Sequence, residues 1–81
     1  MITAIVLIEA DRDQYSTLGD TLAGVEGVAE AYSVTGGWDF IALVRVPRHE
    51  MLADVVSRDI VSLQGVTRTQ TMVAFAAYVA D

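Results

Sequence analysis

The sequence predicts one α+β domain whose strands and helices follow the order βαββαβ. Four runs have the apolar or alternating character of β-strands, and two stretches repeat apolar residues every three or four positions, as amphipathic helices do. In addition, a corner of the form apolar-x-Gly-Val occurs twice, at residues 25–28 and 63–66. Because each corner comes just before a strand, residues 1–81 are two strand–helix–strand halves of a single domain.

The first half is predicted to begin with a central strand and a helix. Every residue of Ile2–Ile8 is apolar or β-branched, which is typical of a strand covered on both faces. Asp11 or Asp13 can cap the following helix, because an aspartate side chain accepts a hydrogen bond from an unpaired backbone N–H. The apolar stripe of this helix comprises Tyr15, Leu18, Leu22 and Val25.

A hairpin, a second helix and a last strand are predicted to follow. The strands of the hairpin are Val28–Thr35 and Phe40–Val46, and Gly36-Gly37 predicts a tight turn between them, because glycine adopts positive φ without a steric penalty. The second helix extends from His49 to about Ser62, and the last strand is Val66–Val79. The apolar face of this helix comprises Leu52, Val55, Val56, Ile60 and Leu63.

Two such halves form the ferredoxin-like fold, a four-stranded antiparallel sheet with both helices on one face. The other sheet face is then uncovered, although the first and third strands are apolar on both faces and 53% of the chain is hydrophobic. A second copy of the sheet is the simplest cover, since a two-fold pair buries this surface symmetrically. The sequence therefore predicts a homodimer whose interface comprises Ile5, Leu7, Ile41, Leu43, Val73 and Phe75.

The composition argues against several functional classes. There is no cysteine for a disulfide or a thiolate, and the only histidine, His49, lies at a predicted helix start, so no catalytic, metal or cofactor site is expected. The net charge is −6 and the five arginines are scattered, which disfavours nucleic acid as a partner. The first residues lack signal-peptide features and no apolar run approaches the roughly 20 residues that cross a membrane, so a cytoplasmic protein is expected.

The predicted hairpin has the residues best suited to bind a small molecule. The backbone N–H groups of Gly36 and Gly37 suit a carboxylate, Asp39 suits an ammonium group, and Trp38 offers a wall, which together would match the main-chain ends of a free amino acid. A structural interpretation stays open, in which the glycines form a turn, Trp38 belongs to an interface and Asp39 stabilises the turn. Thr35 completes the predicted site.

Threonines on the last strand form a second candidate site. Thr67, Thr69 and Thr71 occupy alternate positions of the strand, so their three hydroxyl groups are expected to point to the same face, and Thr69 and Thr71 are the predicted ligand-binding residues. Threonine is also common in strands for reasons of propensity alone.

Two segments carry a resemblance to a known family. Residues 34–40 (VTGGWDF) and 63–71 (LQGVTRTQT) resemble the hairpin and last-strand signatures of the effector-binding (RAM) domain of Lrp/AsnC, or feast/famine, transcription regulators. The resemblance extends over essentially the whole chain. It implies a dimeric α+β barrel, dimers that assemble into rings, often of eight chains, and small effectors, typically amino acids, bound between dimers near the hairpin.

Full-length members of that family place a helix-turn-helix domain before this region, whereas here the domain begins at the first residues. The resemblance therefore implies a stand-alone amino-acid-sensing and oligomerisation module without direct nucleic-acid binding. One alternative is an assembly partner of full-length Lrp/AsnC regulators that has no ligand of its own. Another is a small dimeric barrel enzyme, which the core-like stripe of the first helix disfavours, so no enzymatic activity is expected.

Overall fold

The computed structural model describes residues 1–80 and has the predicted order of elements. Its strands are β1 (Ile2–Ala10), β2 (Val28–Ser33), β3 (Phe40–Val46) and β4 (Val66–Val73), and its helices are α1 (Tyr15–Ala23) and α2 (His49–Asp54). A 3-10 turn over residues 12–14 precedes α1, and a π-helical segment over 55–60 continues α2. The sheet order is β2-β3-β1-β4 with every neighbouring pair antiparallel, which confirms the ferredoxin-like fold.

The core lies between the helices and one face of the sheet. Alternate residues of β1 and β3 point to this face, where Ala4 pairs with Val44 and Val6 with Ala42, all with no exposed side-chain surface. Both helices contribute to the same buried cluster, as predicted for helices that share one face of the sheet. Their buried residues are Leu18, Leu22, Leu52, Val55 and Ile60.

The opposite face of β1 and β3, named here the open face, carries four partly exposed apolar side chains. Ile5 pairs with Leu43 and Leu7 pairs with Ile41, so the four side chains are neighbours on the sheet. Within residues 1–80 no helix covers them, because the core cluster of both helices is on the other side. The structure thus confirms that the two central strands are apolar on both faces.

The other two residues of the predicted interface lie elsewhere. Val73 pairs with Ala4 and therefore points to the helix side, and Phe75 lies beyond β4 with its side chain fully exposed. The predicted last strand, 66–79, was too long. The Ala74 N–H donates to the Thr3 carbonyl (2.9 Å), and β1 begins one residue before Thr3, so there is no strand for later residues to pair with.

The repeated corner in the sequence is also a repeated structure. Gly27 and Gly65 adopt nearly equal positive φ values of 97° and 98°. The valine after each glycine donates its N–H to the carbonyl of the apolar residue three positions earlier. The N···O distance is 3.0 Å in the first corner and 3.2 Å in the second. A Cβ atom at Gly27 would lie 2.9 Å from a Val55 methyl group, and one at Gly65 would overlap the Gln14 side chain. Both corners therefore require glycine.

The helix predicted over residues 49–62 changes its geometry after Asp54. A π-helix forms i→i+5 hydrogen bonds, so residues five apart lie close to the same face. Val55 and Ile60 are both buried in the core as a result.

None of the helices over residues 1–80 has the length and apolarity to span a membrane.

Substitution of either corner glycine by alanine should lower the free energy of unfolding by about 1–3 kcal/mol, because the backbone would be strained and the new Cβ would meet a packed side chain. Gly27→Ala and Gly65→Ala can be compared with wild type by urea denaturation. Gly24→Ala is the matched control, since Gly24 has φ −84° and its Cβ would have ordinary contacts. Wild-type stability of both corner variants would contradict this account of the repeat.

Candidate ligand-binding site

A loop of six residues, 34–39, joins β2 to β3, so the prediction of a tight two-residue turn was wrong. Gly36 has a φ of 110°, but Gly37 does not have positive φ, and the commonest tight hairpin turn needs both. One bond closes the base of the loop, from the Val34 N–H to the Asp39 carbonyl (3.0 Å). Residues 35–38 are named here the loop tip. Their N–H groups donate to no backbone carbonyl within residues 1–80.

Asp39 extends the pairing of β1 with β3 beyond the end of the strands. Its N–H donates to the Ile8 carbonyl (2.9 Å), and its Oδ2 accepts the Ala10 N–H (2.8 Å). The residue is half-buried, which agrees with the structural interpretation that Asp39 stabilises the turn. Its other carboxylate oxygen, Oδ1, has no hydrogen-bond partner in the described part of the chain and can accept a bond from a ligand.

The residues of the loop divide between two clefts. Trp38, Thr35 and Gly37 line a depression of about 610 Å³ that continues onto the open face at Leu7 and Ile41. Asp39 lines a different cleft, of about 700 Å³, on the helix side of the sheet. The other residues of that second cleft are Ala10, Arg12, Tyr15 and Ser16.

A charged pair on the open face supports Trp38. The Arg68 guanidinium lies 4.2 Å from the centre of the indole ring, and its Nη2 atom is 3.4 Å from a Glu9 carboxylate oxygen. Arg68 and Glu9 are cross-strand partners on β4 and β1. This cluster is not predictable from the sequence alone, because it depends on the pairing register of two strands far apart in sequence. Exposed contacts of this kind contribute about 1 kcal/mol or less each.

The threonines of the second candidate site lie away from the loop depression. Thr69 pairs with Ile8 and Thr71 pairs with Val6, so both side chains point to the helix side of β4. Neither lines the two clefts at the loop. A single chain therefore does not bring all seven predicted ligand-binding residues together, and their role in binding stays a prediction.

The comparison with family models and with a curated relative agrees with the resemblance seen in the sequence. The model described as the Lrp/AsnC ligand binding domain matches residues 3–81. The HTH-type transcriptional regulator FL11 of Pyrococcus furiosus is 27% identical over 77 residues, which are 95% of this chain and 50% of FL11. The chain thus spans about half the length of this relative.

Solved structures share the whole fold. TTHA0845 from Thermus thermophilus has a TM-score of 0.90 and 50% identity, over 99% of this chain and 100% of that one. The feast or famine regulatory protein Rv3291c from M. tuberculosis, in complex with L-methionine, has a TM-score of 0.82 and 29% identity, over 100% of this chain and 54% of its own. With the family match over residues 3–81, these similarities show that the chain belongs to the Lrp/AsnC family through its ligand-binding domain.

Proposed function

We propose that this chain binds a free amino acid beside the β2–β3 loop and works as a self-assembling sensor module in transcriptional regulation. The observation that carries the proposal is the Asp39 carboxylate, which is fixed by one oxygen and has the other free. The relatives support the same reading, because FL11 is a transcriptional regulator and Rv3291c was solved with L-methionine. No enzymatic activity is proposed.

The position of Asp39 suits the ammonium group of an amino acid. A carboxylate already held by the Ala10 N–H loses little conformational freedom when a ligand binds, so more of the interaction energy contributes to affinity. Donors for the carboxylate of the ligand lie on both sides of Asp39. They are the free N–H groups of the loop tip and the guanidinium of Arg12.

Assembly is proposed to begin with a homodimer through the open face. The neighbouring side chains of Ile5, Leu7, Ile41 and Leu43 are an apolar surface that a second copy of the sheet can cover. Burial of apolar surface contributes about 25 cal/mol per Å², which matters for a domain of 81 residues because its own core is small. Higher assembly into a ring, often of eight chains, is the family expectation that we extend to this protein.

The hydrogen bond from the Ala10 N–H to Asp39 also favours a second candidate function, that of an assembly partner. If the carboxylate serves only the fold, the chain binds no effector and acts as an assembly partner of full-length Lrp/AsnC regulators. In that case the open face and the ring contacts would carry the function.

A thermal-shift screen against the twenty amino acids, with light scattering on the same samples, separates the two functions. A ligand that binds only the native state stabilises it and so raises the melting temperature. The stabilisation is about 2.7 kcal/mol when the ligand concentration is a hundred times Kd. A shift with a subset of amino acids would support the sensor. No shift with any of them, for a protein that is folded and assembled, would overturn it and favour the assembly partner.

Asp39→Asn and Asp39→Ala should separate the binding role of Asp39 from its structural role. An asparagine oxygen can still accept the Ala10 N–H but carries no charge for an ammonium group, so Asp39→Asn should reduce amino-acid affinity at least tenfold with near-native stability. Asp39→Ala should also lower the free energy of unfolding by about 1–3 kcal/mol, because the Ala10 N–H loses its partner. Calorimetry and thermal denaturation measure the two effects. Native affinity of Asp39→Asn would rule out the ammonium contact.

Leu43→Glu should disrupt the dimer, because it places a charge in the centre of the proposed interface. Leu43 lies outside the helix-side core, so the variant should keep a folded circular dichroism spectrum while light scattering reports a smaller particle. Ala53→Glu adds the same charge at an exposed position of α2 and is the control. A Leu43→Glu protein with the mass of wild type would contradict face-to-face packing.

A further inference from the structure

The helix-side cleft at Asp39 continues into a groove along α1. The cleft of about 700 Å³ contains Tyr15 and Ser16, and both residues also line a second depression of about 380 Å³. Volumes of several hundred Å³ are typical of small-molecule sites. The second depression runs between α1 and the loop end of the hairpin, where β2 ends and β3 begins. Its remaining lining residues are Gly19, Asp20, Ala23, Ala31, Ser33 and Phe40.

Two opposite charges line the cleft without forming an ion pair among residues 1–80. Arg12 and Asp39 both line it, yet no ion pair joins them, and Arg12 has no acidic partner within 4.0 Å among residues 1–80. The Asp39 Oδ1 atom is free, and a guanidinium has five N–H donors that match a carboxylate bidentately. A cation and an anion held apart in one cleft are complementary to a zwitterion.

The cleft also decides between the two donors for the carboxylate of the ligand. Thr35, Gly37 and Trp38 line the depression that opens onto the open face, whereas the cleft that contains Asp39 has none of them. A ligand whose ammonium group is bound to Asp39 from the helix side therefore meets Arg12 rather than the loop tip.

Next to these charges, the groove is lined by two aromatic rings and by the polar side chains of Ser16, Asp20 and Ser33. The rings of Tyr15 and Phe40 lie 4.9 Å apart at its wall. Gly19 has no side chain to fill it, and a Cβ atom there would meet only the Phe40 ring edge, at 3.4 Å. Glycine within a helix costs about 0.5–1 kcal/mol relative to alanine, so its presence in α1 is consistent with a need for space.

We propose that Arg12 binds the α-carboxylate of the amino acid whose ammonium group binds Asp39, and that the groove beside Gly19 holds its side chain. The ligand class is accordingly an α-amino acid whose side chain is large enough to enter the groove. This inference rests on the proposed amino-acid binding and deepens it, since it adds a carboxylate partner and a side-chain compartment.

Calorimetry with Arg12→Gln and Arg12→Lys tests the carboxylate contact. Arg12→Gln should reduce, by at least tenfold, the affinity for every amino acid that wild type binds. Arg12→Lys should show a smaller loss of affinity because it keeps the charge. The amino-acid amide, which lacks the carboxylate charge, should bind wild type as weakly as the amino acid binds Arg12→Gln. Arg12 is exposed, so native melting temperatures of the unliganded variants serve as the folding control.

Gly19→Leu tests the groove. It should abolish binding of leucine, methionine and phenylalanine while glycine and alanine bind as they do to wild type, since only the side-chain compartment is filled. Gly19→Ala, which adds a single methyl group, is the control for substitution at this helical position.

The outcomes separate this inference from the proposed function. If wild type binds amino acids and Arg12→Gln binds them with the same affinity, the Arg12 assignment is overturned. The loop tip is then the remaining partner for the ligand carboxylate, and the sensor function is unaffected. Wild type that binds no amino acid would overturn both. Loss of glycine binding in a folded Gly19→Leu protein would refute the groove as a separate side-chain compartment.

Discussion

The pairing of β1 with β3, two strands that are apolar on both faces, determines much of the remaining structure. One face is covered by both helices, and the other is the surface through which we propose that the chain dimerises. The start of β1 also sets the end of β4, because the pairing of these two strands stops where the Thr3 carbonyl accepts the Ala74 N–H. The start of β3 positions the loop, since Asp39 continues the ladder to Ala10. The fold, the proposed assembly surface and the proposed ligand site thus share one strand pair.

Asp39 joins structure and proposed function in a single side chain. One carboxylate oxygen satisfies a backbone N–H at the end of β1, and the other has no hydrogen-bond partner in the described part of the chain. A residue used in this way is held rigidly, which favours binding, but its substitution affects stability as well. The two interpretations drawn from the sequence, a turn-stabilising residue and an ammonium acceptor, are therefore compatible with each other.

The sequence predicted the elements well because each depends on local periodicity. The corners at Gly27 and Gly65, the two-sided strands and the sheet topology all follow from patterns within a few residues. Features that depend on register were missed. The faces of Thr69 and Val73 follow from which residues of β1 they oppose, and Gly36-Gly37 fits several loop geometries. The cleft at Arg12 was missed for the same reason, since its residues come from distant segments.

The distribution of the five arginines connects the electrostatics with the two proposed binding events. In the described residues Arg48, Arg58 and Arg68 each pair with a carboxylate, whereas Arg12 and Arg45 have no ion-pair partner. Arg45 extends from β3 on the open face, opposite Thr3, at the end away from the loop. A charge at the edge of an apolar face can stay hydrated while the centre is buried. Arg12 instead lines the same cleft as Asp39, where we propose that a small-molecule ligand supplies its partner. In this chain of net charge −6, the two arginines without an ion-pair partner among the described residues thus lie at the two proposed binding surfaces.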